Sequence, residues 1–123
     1  MNNPLKKELI RQRKILSSLK NNWNDEGAKK IHQKTITKMV NLIVGSSIYV
    51  NDSIPVPSIG PCGDGSIDIH WKNEEDELEL LINIPEEGQA TFYGDNKTFE
   101  YQGAFDVETI EYERLEMLYL LLT

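Results

Sequence analysis

The sequence predicts a single α+β domain with two N-terminal helices, a four-stranded antiparallel meander and a C-terminal helix. Apolar residues recur at helical spacing through the first 44 residues, alternate with polar residues from about residue 66 to 101, and regain helical spacing after Asp106. A chain of 123 residues can bury roughly two-thirds of its unfolded surface in one core and is too short for two. We therefore expect one domain spanning residues 1–123.

Two helices are predicted before residue 45. Asn3 is a suitable cap and Pro4 suits the first helical position, so the first helix is expected at about residues 4–22. Its apolar residues are Leu5, Leu9, Leu16, Leu19 and Trp23. The second helix is expected from about Gln33 to Val44, with Gly45 at its C-terminal stop.

Four strands are predicted around residues 67–71, 78–84, 90–93 and 98–101, joined by short polar connections. The prolines and glycines between Pro55 and Gly65 favour extended backbone and turns, and an extra edge strand near Val56 fits the same pattern. Asp106 is placed to cap the last helix. One face of that helix would carry Val107, Ile110, Leu115, Leu118, Leu121 and Leu122.

Charge is divided unevenly along the chain. Residues 1–38 contain ten bases and three acids, whereas residues 39–123 contain three bases and seventeen acids. The first part is therefore +7 and the second −14. A basic segment beside an acidic one allows binding of a small anion, binding of a basic protein, or self-association.

Two local sequence patterns stand out. The first is Asn22-Trp23-Asn24-Asp25-Glu26-Gly27-Ala28; the second has Pro57-Ser58-Ile59-Gly60-Pro61 followed by Asp64-Gly65-Ser66-Ile67 and Trp71. Together they resemble a widespread set of small bacterial and phage proteins that pair a Trp-Asp-Gly-x-Gly-Ala-like loop with such a hairpin. Asn24 and Glu26 depart from the usual pattern. The resemblance supports the fold and transfers no activity.

Trp23 and Trp71 have two interpretations. Two indole faces can sandwich a base or another aromatic ligand, with stacking worth about 1–3 kcal/mol per base. The favoured interpretation is structural: each indole fills a gap where a helix meets the sheet.

The remaining candidates do not form a catalytic or metal-binding motif. Asp68 and His70 share the polar face of one predicted strand, but two ligands do not define a metal site. Cys62 lacks a neighbouring base, and the glycines around it are not followed by the Lys-Ser/Thr of a phosphate loop. No enzyme, metal or cofactor is predicted.

Three function classes remain. An enzyme ranks third, because two histidines and scattered carboxylates do not supply a convergent base, acid or metal. The two preferred hypotheses are non-enzymatic. The leading hypothesis is sequestration of a small anionic, nucleotide-like ligand, as in a phage-type anti-defence protein, by Trp23, Asp25, Lys29, Lys30, Lys34, Asp68, His70 and Trp71. The alternative is an antitoxin or inhibitor that presents an acidic surface to a basic protein.

The sequence also bounds location and partners. The N-terminus has no secretion-signal pattern and one cysteine excludes an intrachain disulfide, so a cytoplasmic protein is expected. No apolar run is long enough to cross a membrane. The seventeen acids disfavour double-stranded nucleic acid. The apolar residues 118–122 exceed what one helix face can bury, which predicts a homo-oligomer.

Overall fold

The computed structural model describes residues 2–49, 55–75, 77–96 and 100–109. Two helices precede five strands in this part of the chain. They are α1 (Asn3–Ser18), α2 (Gln33–Tyr49), β1 (Ser58–Pro61), β2 (Ile67–Asn73), β3 (Leu78–Ile84), β4 (Ala90–Asp95) and β5 (Glu100–Phe105). The α+β class is confirmed. The predicted C-terminal helix falls largely on residues 110–123, outside the described residues.

Helix α1 begins one residue earlier than expected and ends four residues earlier. Asn2 is the cap, because its Oδ1 accepts the Leu5 N–H at 2.8 Å. The helix buries Leu5, Leu9, Gln12 and Leu16 along one face. Leu19 is extended at φ −71° and ψ 134°, and Asn22 is left-handed at φ 66°. The predicted end at residue 22 is therefore wrong.

Helix α2 runs through Gly45 to Tyr49, so the predicted stop at Gly45 is also wrong. Two buried serines after the glycine bond to the helix's own carbonyls: Ser46 Oγ donates to the Leu42 oxygen at 2.5 Å and Ser47 Oγ to the Val44 oxygen at 3.0 Å. Glycine costs about 1 kcal/mol in a helix interior. Burial of the surrounding turn offsets that cost.

The sheet is an antiparallel meander with strand order β1-β2-β3-β4-β5. The predicted count of four strands is corrected to five, because Ser58–Pro61 pairs with β2 and forms one edge. This strand begins two residues after Val56. Strand β5 extends to Phe105, four residues beyond the expected end at residue 101, and residues 98–99 of the predicted strand lie outside the described residues.

The core lies between one face of the sheet and the two helices. Helix α1 packs against β1, and α2 packs against β2 and β3. On this inner face Ile67, Ile69, Leu80 and Ile82 are fully buried, and Trp71 is 2% exposed. Among the described helices, neither has the length and apolar character needed to cross a bilayer.

Candidate functional site

The loop between the helices is held by its own asparagine side chains. Asn24 Oδ1 accepts the N–H groups of Glu26 and Ala28 at 2.9 and 3.1 Å, and Asn22 Oδ1 accepts the Gly27 N–H at 2.7 Å. Left-handed backbone at Asn22, Asp25 and Gly27 makes this compact path possible. The loop pattern therefore has a structural explanation.

The same loop docks on the turn between β1 and β2. The Lys29 N–H donates to the Gly63 carbonyl at 2.9 Å. Gly65 is buried with φ +91°, and a Cβ there would lie 3.7 Å from both the Lys29 Cβ and the Lys30 carbonyl oxygen. The two patterns singled out in the sequence thus contact each other.

The two tryptophans have different environments. Trp71 is part of the core, and its Nε1–H donates to the Pro55 carbonyl at 2.8 Å. Because its indole is 2% exposed, it has no face available for stacking on a ligand. Trp23 is half-buried and donates from Nε1 to the Lys29 carbonyl at 2.9 Å. Trp71 is therefore a core residue, as the structural interpretation expected, whereas Trp23 stabilises the loop through its hydrogen bond to the Lys29 carbonyl.

The basic residues proposed to hold a phosphate meet the acidic turn between β3 and β4. Lys34 Nζ forms an ion pair with Glu87 Oε1, and this contact raises the pKa of Lys34 and lowers that of Glu87. His32 Nε2 lies 3.0 Å from Glu86 Oε1. The basic N-terminal part of the chain and the acidic part after it are therefore partly neutralised by contacts within the same molecule.

The other predicted ligand residues near this loop are dispersed. Asp25, Lys29 and Lys30 are exposed. A hydrogen bond from Ser66 is the main cause of the lowered pKa of Asp64, with a smaller contribution from Lys29. The structure thus places Lys29 near a carboxylate and Lys34 on another, instead of grouping them around an open anion site.

Asp68 and His70 do not converge. Asn83 Nδ2 donates to Asp68 Oδ1 at 2.8 Å and also to Ser66 Oγ at 2.9 Å. His70 Nε2 instead lies 2.7 Å from Glu79 Oε1. Each residue is thus engaged by a different side chain of β3.

The grouping of metal-ligating side chains and the burial of Cys62 bear on metal and nucleophile chemistry. Within the described ranges, no three His, Cys, Asp or Glu residues are grouped so that they could hold a metal ion. Burial raises the pKa of the Cys62 thiol, which disfavours the reactive thiolate at neutral pH.

A different constellation appears on the face of the sheet opposite the helices, here called the outer face. Register alignment places Lys72, Glu79, Asp95 and Glu100 in one row across β2 to β5. Neighbouring strands lie about 4.8 Å apart, so the backbones of these three acidic residues follow one another at that spacing. We call Glu79, Asp95 and Glu100 the acidic row.

The next row of the outer face is less polar. It consists of His70, Leu81, Tyr93 and Gln102. A shallow cavity of about 520 Å³ lies beside Leu81, Tyr93 and Gln102 and extends to Asn83 and Thr91. Burial, and then the charges of Glu100 and Asp95, raise the pKa of Tyr93. The outer face therefore combines an apolar centre with an acidic end.

Sequence reasoning missed Asp95 and Glu100 as site candidates. They lie 21 and 26 residues after Glu74 in the sequence and belong to two different strands. The alternation of polar and apolar residues indicates which face of the sheet each residue occupies. Only the strand register shows that Asp95 and Glu100 align with Glu79. Comparisons with protein-family models, curated proteins and solved structures found no match to this chain.

Proposed function

We propose that this protein is a non-enzymatic interaction module, such as an antitoxin or inhibitor, that binds a basic protein through its outer sheet face. The acidic row carries this proposal. Like charges directly opposite one another on neighbouring strands destabilise a sheet. Asp95 and Glu100 are directly opposite each other, whereas Glu79 also contacts His70 and faces Lys72, so a cationic partner would chiefly relieve the repulsion between Asp95 and Glu100.

The neighbouring apolar centre supports a protein as the partner. Interfaces draw their affinity from buried aromatic and aliphatic side chains, whereas rim charges mainly guide association. Leu81 and Tyr93 are half-buried on the outer face, one row away from the acidic row. A partner surface with Lys or Arg beside an apolar anchor would match both features.

Nucleotide sequestration, the leading hypothesis from sequence, receives less support. It uses basic residues of the first helices against phosphates and Trp23, Trp71, Tyr93 or Tyr101 against a ring. Of these residues, Trp71 lies in the core, and the basic residue Lys34 is paired with Glu87. Trp23, Lys29 and Lys30 are the remaining candidates beside the loop. An anion held there would lie away from the acidic row, so the two hypotheses make different predictions.

The test compares two charge reversals of equal size. The Asp95→Lys/Glu100→Lys variant alters the acidic row, and the Glu26→Lys/Glu108→Lys variant changes the net charge equally at two exposed positions outside it. An interacting protein captured from the source organism is purified, and its direct binding to each variant is measured by calorimetry. We expect the row variant to lose at least about tenfold in affinity, roughly 1.4 kcal/mol, and the control to bind like wild type.

Two results would overturn the proposal. One is equal binding of a purified partner to the row variant and the control. The other is a native mass spectrum that retains a nucleotide-like molecule on wild type, combined with calorimetric binding of that molecule that is lost in Lys29→Glu/Lys30→Glu but unchanged in the row variant.

A further inference from the structure

We propose that the exposed face of α1 docks on the outer sheet face of a second copy of this chain, so that copies associate head to tail. The contact pairs two different surfaces, and each copy has one surface of each kind. This inference rests on the proposed function in one respect, because it uses the same outer face. The α1 helix of a neighbouring copy therefore competes with an outside basic protein for that face.

The exposed face of α1 is basic and unpaired. Among the described residues, its four cations have no ion-pair partner, whereas Arg11, on another side of the helix, is paired with Glu8. At 100° per residue the exposed residues of this face lie within about a third of the helix circumference. We call them the basic face: Lys6, Lys7, Ile10, Arg13 and Lys14.

The basic face has an exposed apolar side chain near its centre. Ile10 is 51% exposed, more than any other large apolar side chain that the structure describes. A groove of about 350 Å³ beside it is lined by Arg13, Lys14, Ser17 and Gln33, so a partner side chain has room to enter. Cations around an exposed apolar residue suit a surface that has carboxylates beside an apolar centre.

One molecule cannot neutralise its basic face with its own acidic row. Helix α1 packs on the inner side of the sheet against β1, whereas Asp95 and Glu100 lie on the outer face of β4 and β5. Three to four strand spacings separate β1 from these strands, which amounts to about 14–19 Å. That distance exceeds the Debye length of about 8 Å at physiological salt. The attraction between the two surfaces therefore acts between molecules.

The two surfaces match in pattern and in dimension. On α1, the step from Ile10 to Lys14 is four residues, a rise of about 6 Å. On the outer face, the step from Tyr93 to Asp95 is two residues along β4, about 7 Å. A helix laid along the strands therefore sets Ile10 beside Tyr93 and Lys14 beside Asp95. This match is why we assign a second copy of the chain to the outer face.

The test mixes two full-length variants, each defective in one of the two surfaces. Lys7→Glu/Lys14→Glu alters the basic face, and Asp95→Asn/Glu100→Gln neutralises part of the acidic row. In sedimentation velocity at about 50 mM NaCl, we expect wild type to associate as its concentration rises and each variant alone to self-associate at least about tenfold more weakly.

An equimolar mixture of the two variants should form a 1:1 complex, because each variant keeps the surface that the other has lost. Isotopic labelling of one variant lets a native mass spectrum distinguish this heterodimer from homodimers. A mixture without the heterodimer would overturn the inference, because association through two copies of the same surface gives that result. Wild type that stays monomeric from micromolar to millimolar concentration would overturn it as well.

Two further variants control for charge and for folding. Lys20→Glu/Lys30→Glu makes the same charge change at two exposed positions outside α1 and should associate like wild type. An equal loss of association in this control would contradict a specific contact through α1. Lys6→Glu/Arg13→Glu disrupts the basic face at other positions, so the test does not depend on one pair of substitutions folding normally.

The same variants separate this inference from the proposed function. Lys7→Glu/Lys14→Glu keeps the outer face, so a purified basic partner should bind it at least as tightly as it binds wild type. If no heterodimer forms but the Asp95→Lys/Glu100→Lys variant still loses the partner, only the head-to-tail contact is wrong. If the heterodimer forms but the partner binds that variant like wild type, only the proposed function is wrong.

Discussion

At the scale of single residues, Trp71 and Trp23 show how the same side chain serves two purposes. Trp71 lies in the core, so Trp71→Ala should lower the free energy of unfolding by about 3–5 kcal/mol. Trp23 is half-buried and holds the Lys29 carbonyl, so Trp23→Ala should cost about 1–2 kcal/mol, mainly a hydrogen bond and part of a contact surface. Urea unfolding of both variants measures the difference, and equal losses would contradict these assignments.

Thr35 offers a second prediction at this scale. Its hydroxyl is buried in the first turn of α2 and has no hydrogen-bond partner among the described residues. An unsatisfied buried polar group costs about 1–3 kcal/mol. We therefore expect Thr35→Val, which keeps the shape and removes the hydroxyl, to raise the free energy of unfolding by about 1 kcal/mol.

Thr37→Val is the matched control, because Thr37 is exposed on the same helix. Its effect should remain within about 0.5 kcal/mol, as is usual for surface substitutions. A destabilising effect of Thr35→Val would contradict the assignment of an unsatisfied hydroxyl at Thr35.

At the scale of elements, the pairing of β4 with β5 depends on glycine at position 94. Alanine there would push the Tyr101 ring off the strand, and such overpacking typically costs about 1–3 kcal/mol. Gly60→Ala is the control, because a Cβ in β1 meets nothing within 4 Å and the backbone has no positive φ. Thermal unfolding should separate the two variants, and an unchanged melting temperature for Gly94→Ala would argue against the flat ring packing.

Element types followed from sequence more readily than their boundaries. Alternation correctly predicted β2 and β3, because each strand has one face in the core and one outside. The ends of the helices depended on contacts that periodicity does not encode. Helix α1 ends before the loop in which Asn22 Oδ1 accepts the Gly27 N–H. Helix α2 continues past Gly45, where the buried Ser46 hydroxyl donates to the Leu42 carbonyl.

The candidate site was less predictable than the fold for a related reason. The sequence located Lys34 and His70 on plausible surfaces, but their partners Glu87 and Glu79 lie 53 and 9 residues away. Only the assembled fold decides whether a charge is open to a ligand or already paired. Register likewise created the acidic row from residues on three strands.

At the scale of the whole molecule, the net charge of −7 and the acidic row predict an unusual salt response. The Debye length is about 30 Å at 0.01 M salt and about 3 Å at 1 M, so repulsion between charges on neighbouring strands is screened substantially only as the salt concentration becomes high. Repulsion along the acidic row should therefore weaken, and the melting temperature should rise between about 20 mM and 0.5 M NaCl. Differential scanning calorimetry at fixed pH measures this shift.

Two variants identify the source of that response. Asp95→Asn/Glu100→Gln removes two charges from the acidic row, so it should raise the melting temperature at low salt and reduce the gain from added salt. Glu87→Gln removes one charge from the Lys34 pair and should instead lower the melting temperature at low salt. A salt gain that persisted unchanged in the Asp95→Asn/Glu100→Gln variant would place the repulsion elsewhere. Loss of the salt-dependent rise in melting temperature in this variant would show that the acidic row destabilises the folded protein. A basic partner that binds the acidic row would then stabilise the folded state.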